Sequence, residues 1–119
     1  QKFVLDHIAK PFIKDGKIDT WAAEIELLAR HENVYCKVSG MVTEADWHNW
    51  TPDTFARYLD VIFNAFGTHR VMFGSDWPVC LVAAGYAQVK DIVYQYTQQF
   101  SAENRKKIFG GNAITFYNL

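Results

Sequence analysis

Val34-Tyr35-Cys36-Lys37-Val38-Ser39-Gly40 is the stretch on which the reading of this chain turns. Its β-branched residues alternate with larger polar ones, and it closes on a small residue and a glycine, which is the pattern of a strand. Alternation puts Val34, Cys36 and Val38 on one face and Tyr35, Lys37 and Ser39 on the other. Immediately upstream the period changes. From Asp19, Trp21, Ile25, Leu28 and Ala29 recur at spacings of three and four, so a helix is expected that is capped by Asp19 or Thr20 and stops near Glu32. Downstream, a connection of about ten residues, Met41 to Trp50, exceeds the ~2–6 usual for a βα loop and is expected to be functional. Thr51-Pro52-Asp53 then opens a second helix with a cap, an N-terminal proline and a first-turn acid. Phe55, Leu59, Ile62, Phe63 and Phe66 form its apolar face, and Gly67 supplies the left-handed stop.

Outside this core the same rhythm continues. Phe3 to His7 reads as a strand closed by Lys10-Pro11, and Arg70-Val71-Met72-Phe73-Gly74-Ser75-Asp76 reads as another, ending at Asp76-Trp77-Pro78. After Gly85 a helix carries Tyr86, Val89, Ile92, Val93, Tyr96 and Phe100 on one face. Ser101 caps a short helix to Ile108-Phe109, which Gly110-Gly111 are expected to break before a last apolar turn from Asn112. The order β-α-β-α-β-α-α implies parallel strands, right-handed crossovers and helices over the sheet. Three such units correspond to about three-eighths of a (β/α)8 barrel, which needs ~250 residues. The chain opens inside a strand pattern without an initiator Met, so residues 1–119 are expected to be the C-terminal part of a single barrel domain.

Composition narrows the function. Of 119 residues, 50% are hydrophobic and 21% charged, with a formal net charge of −1. That balance excludes a disordered chain and a polyanion-binding surface, so no nucleic-acid partner is expected. No apolar run approaches the ~20 residues of a membrane span. Two distant cysteines, Cys36 and Cys80, fit buried thiols in a reducing, cytoplasmic setting.

In parallel α/β proteins ligands gather at the C-terminal ends of the strands. There the three strands present His7, Ser39-Gly40 and Asp76. An imidazole and a carboxylate from separate strands suit a metal or an activated water. Parity turns Lys37 to the interior, where an ammonium needs a carboxylate or a ligand as partner. Trp47 and His48 stand in the long connection as candidate pocket walls. His31 and His69 belong to the opposite, stability end.

Asp6-His7-Ile8-Ala9-Lys10-Pro11, Lys37-Val38-Ser39-Gly40, Phe73-Gly74-Ser75-Asp76-Trp77-Pro78, and Asn112-Ala113 with Phe116-Tyr117, in this order, resemble the C-terminal part of the amidohydrolase superfamily. The nearest branch is that of TIM-barrel metal-dependent hydrolases of the sugar lactonase and pyrone dicarboxylate lactonase type. The resemblance spans almost the whole chain. It implies a barrel in which His7 ends the sixth strand and Asp76 the eighth. It further implies Asp76 as general base toward the hydrolytic water, with His7 and Asp76 as metal ligands where a metal is used. His7 would otherwise polarise the substrate carbonyl. Members of the branch differ in metal use; the ion expected here is a divalent metal, zinc. Lys37, Ser39, Trp47, His48 and Trp77 are the expected contacts to a small-molecule substrate, a lactone or sugar acid derivative. The family's first-strand His-x-His pair is absent, so the chain alone is expected to bind metal poorly and to be nearly inactive. Two other readings stay open: a non-oxidative decarboxylase of the same superfamily, and a stand-alone, non-catalytic α/β binding module. Three strands leave two open edges, through which self-association is expected.

Overall fold

The computed structural model describes residues 1–119. Its sheet has three parallel strands, β1 (Phe3–Leu5), β2 (Val34–Val38) and β3 (Val71–Phe73), in the order β1-β2-β3. Phe3 pairs with Val34 and Leu5 with Cys36; Cys36 in turn pairs with Val71 and Val38 with Phe73. The outer strands each have one neighbour. All three ladders are shorter than their apolar runs. Each stops before the polar residues at its C-terminal end, because His7, Gly40 and Asp76 take positive φ and leave the pleat.

The helices are α1 (Asp19–Ala29), α2 (Met41–Glu44), α3 (Pro52–Phe66), α4 (Tyr86–Tyr96), α5 (Ala102–Lys106) and α6 (Asn112–Tyr117). Three expectations need correction. The cap of α1 is Ile18, without a side-chain bond, so Asp19 lies in the first turn as an acid near the positive helix end. The long connection is not all loop, since α2 occupies its first half. Gly110-Gly111 do not break the C-terminal helix: a π-helical segment, Lys107–Gly111, joins α5 to α6. Burial of Ile108 and the packing of Phe109 on Phe73 at 5.2 Å outweigh the low helix propensity of glycine there. By contrast, Thr51 behaves as a cap, its N–H donating to Thr54 Oγ1 at 3.0 Å, and Gly67 ends α3 at φ +70°.

Cys36, Val38 and Val71 are fully buried on the helix-facing side of the sheet. They meet the apolar stripe of α3 (Phe55, Tyr58, Leu59, Ile62) together with Ile25 of α1 and Val89, Ile92 and Val93 of α4. Full burial of such a side chain contributes about 1.5–3 kcal/mol. Polar staples fix the strand starts. The Arg70 guanidinium donates to the carbonyls of Ala29, at the end of α1, of His31, and of Val34, at the start of β2. Asn112 Nδ2 donates to the carbonyls of Thr68 and Val71. On the other face of β2, Tyr35 packs against Phe116 of α6 at 5.0 Å, which leaves Lys37 and Ser39 at the open end.

Candidate active site

The end of β1 sets the geometry. His7, Ile8, Ala9 and Lys10 have φ of 51°, 45°, 62° and 47°, a left-handed turn of four non-glycine residues. Its closing bond runs from the Lys10 N–H to the His7 carbonyl at 2.9 Å. For L-residues this conformation costs roughly 1–2 kcal/mol each, because Cβ approaches the following carbonyl oxygen. Ile8 is fully buried, and the Trp21 indole N–H donates to its carbonyl at 2.7 Å.

The turn carries the His7 ring over the end of β2. There Nδ1 lies 2.8 Å from Ser39 Oγ, a bond whose direction depends on the tautomer. Gly40 is required beneath it. Its φ is +66°, and a Cβ at this position would stand 3.0 Å from His7 Nδ1. His7 Nε2 is 3.3 Å from Asp6 Oδ2 and 3.9 Å from Asp76 Oδ1, and Asp76 is itself at φ 57°. Asp6 Oδ1 lies 3.4 Å from Lys37 Nζ. Gly74 makes room for this lysine, since a Cβ there would meet Lys37 Cδ and Ser39 Cβ at 3.2 Å.

Four expected residues therefore converge: His7, Lys37, Ser39 and Asp76. The partner that Lys37 needs is Asp6, which a strict alternation continued from β1 would put on the face opposite His7. The left-handed turn breaks that alternation. The sequence signals for Asp6 are the unmet charge of Lys37 and its place beside His7 in the Asp6–Pro11 motif. Trp47, His48 and Trp77 make no bond to the cluster. Trp47 and His48 line a separate recess of about 430 Å³ with Phe12, Lys14 and Glu44. The Trp47 indole donates to the Thr43 carbonyl, and the His48 N–H to Asp46 Oδ1. Trp77 is 63% exposed. His31 and His69 precede β2 and β3, at the end remote from the cluster, as expected.

The donors of the cluster are two carboxylates, an imidazole, a hydroxyl and an ammonium. Imidazole Nε2 and carboxylate oxygen are the donor types zinc accepts, but no three His, Cys, Asp or Glu side chains are grouped to hold an ion. The residues present fit a metal as part of a ligand set. The thiols offer no nucleophile. Burial, then the Asp6 carboxylate, pushes the Cys36 thiol far up; burial and then Asp76 raise Cys80.

The amidohydrolase family profile matches residues 1–119. The chain is 41% identical to the L-fucono-1,5-lactonase of Burkholderia multivorans over 98% of its length and 43% of the relative's. It is 36% identical to the L-fucono-1,5-lactonase of Burkholderia ambifaria, covering 99% of this chain and 42% of that one. Among solved structures, it superposes with a TM-score of 0.92 and 41% identity on an amidohydrolase from Burkholderia multivorans with bound zinc, covering 99% of this chain and 44% of that one. The chain thus spans less than half the length of these relatives, and its sheet and helices form part of a TIM barrel. A profile match over every residue, with this superposition, places the chain in the amidohydrolase family.

Proposed function

We propose that the whole protein, of which residues 1–119 form the C-terminal part of one barrel domain, hydrolyses a sugar lactone. The observation that carries this reading is the meeting of His7 Nε2 and Asp76 Oδ1 at 3.9 Å across two strand ends. Lys37 and Ser39 stand beside them, and the named activity of the relatives supplies the substrate class. Asp76 takes a proton from water as the water oxygen attacks the lactone carbonyl. The ring C–O bond then breaks, and the alkoxide recovers the proton from Asp76, giving a hydroxy acid. The Ser39 hydroxyl fixes the imidazole through Nδ1, leaving Nε2 directed at the reacting centre. Lys37, held by Asp6, places a cation where the carbonyl oxygen gains negative charge.

His7 and Asp76 are the donors this chain gives to a divalent metal, zinc in the first instance, whose chemistry is to polarise the carbonyl and acidify water. The remaining donors come from the part of the barrel outside residues 1–119, so the isolated chain is expected to be nearly inactive. Trp77, next to Asp76 in sequence and 63% exposed, is the aromatic residue assigned to the substrate, whereas Trp47 and His48 line a recess apart from the cluster.

Asp76→Asn in the full-length enzyme tests the base. A loss of about 10²–10⁴-fold in kcat is expected, the usual contribution of a positioned general base. Activity near wild type would remove Asp76 from that role. Offering the same enzyme lactones and aromatic carboxylates separates hydrolysis from decarboxylation, since the first releases acid and the second carbon dioxide.

A further inference from the structure

We propose that Trp21 is a positioning residue that holds the left-handed turn His7–Lys10, and that this turn is what brings His7 to Asp76. Beyond His7, a residue type that tolerates positive φ, nothing in the local sequence favours the turn. His7, Ile8, Ala9 and Lys10 are all L-residues with side chains, one of them β-branched, and none is the glycine that such φ values favour. A segment of this kind persists only where its surroundings over-determine it.

Three contacts do so here. Ile8 is fully buried, Gly40 admits the His7 ring, and the Trp21 indole donates to the Ile8 carbonyl at 2.7 Å. The last is a single directional bond to the middle of the turn, and its donor is itself anchored. The Trp21 ring lies 5.4 Å from that of Tyr58, which is fully buried and donates its hydroxyl to the Lys17 carbonyl at 2.9 Å. A chain of contacts therefore runs from α3, through α1, to the backbone that follows His7.

The geometric consequence is specific. β1 and β3 are not adjacent, since β2 lies between them. An extended continuation of β1 would keep His7 above its own strand. The reversed hand swings the ring across β2, onto Ser39 Oγ and within 3.9 Å of Asp76 Oδ1. The effect on turnover rests on the role of His7 proposed above; the effect on the position of the ring does not.

Trp21→Phe in the full-length protein keeps an aromatic ring against Tyr58 and removes the donor together with the smaller ring of the indole. The readouts are the ring-nitrogen NMR signals of ¹⁵N-histidine in the chelator-treated protein, and lactone hydrolysis by the metal-loaded one. The expected result is that the His7 signals shift or broaden while those of His31, His48 and His69 stay. With them kcat falls about 10- to 100-fold, the scale of an ångström-sized misplacement, and KM changes less than about twofold. Unchanged His7 signals would overturn the proposal. Shifted signals with unchanged kcat would support it and instead remove His7 from the chemistry. Should Trp21→Phe not fold, the double variant Trp21→Phe/Ala9→Gly decides, because glycine takes the φ of 62° at this exposed position without strain and offsets the lost bond. Its His7 signals are expected to shift or broaden relative to those of Ala9→Gly alone. Identical His7 signals in the two proteins would refute the coupling.

Discussion

His7 and Asp76 share a property invisible in their identities: both sit at positive φ, just past the last residue of a strand ladder. Histidine and aspartate tolerate this conformation better than most residues. Each is thereby turned out of the pleat toward the neighbouring strand end. That is why alternation located their strands correctly but, continued past β1, would misplace Asp6. A period of two ends where the extended backbone ends. Cys36 and Cys80 show the opposite case, in which the residue type was sufficient. Both were expected to be buried thiols, and both are. Because burial holds both thiols above their ordinary range, neither should react with a disulfide reagent at pH 8 in the native state. The full two equivalents should appear in guanidinium. Rapid native labelling of Cys36 would contradict its place in the core.

Among the elements, the helices with strong periodicity and stop signals were the legible ones. α3 runs from the Pro52 expected at its start to the residue before Gly67. The C-terminal helix departs from the expected break because packing of Ile108 and Phe109 outweighs the low intrinsic helix propensity of glycine. Gly110 lies at an ordinary negative φ, and a Cβ there would have no atom within 4 Å. Gly110→Ala should therefore stabilise the fold by about 0.5–1 kcal/mol, the helix-interior difference between the two residues. Denaturant midpoints at unchanged m-value measure it. A lower midpoint would show that the π-helical segment needs the freedom of glycine.

At the scale of the whole molecule, packing of α3 against α4 includes one polar tie, in which the Tyr96 hydroxyl donates to Asp60 Oδ1. Burial first, and then Asp60, raise the Tyr96 phenol above its ordinary range. A raised folded value stabilises the fold below the unfolded phenol pKa of about 10, and that stability is lost as pH rises through the folded value. Stability should thus decline above pH 10, and Tyr96→Phe should flatten the decline. Thermal melts of both proteins between pH 9 and 11 test this; parallel curves would exclude Tyr96 as the source.

The sequence by itself determined the strand and helix order, the parallel sheet, the buried faces and four of the residues that meet at its mouth. Hydrophobic periodicity and caps are local, and they survive in a one-dimensional reading. Only the tertiary structure decided the hand of the turn after β1, the pairing of Lys37 with Asp6, the continuity of the C-terminal helix through two glycines, and the placement of Trp47 and His48 in a recess apart from the cluster. Each of these is a contest between local preference and packing by residues remote in sequence. In each the outcome depends on which side chain, such as Trp21 or Ile108, the fold brings alongside.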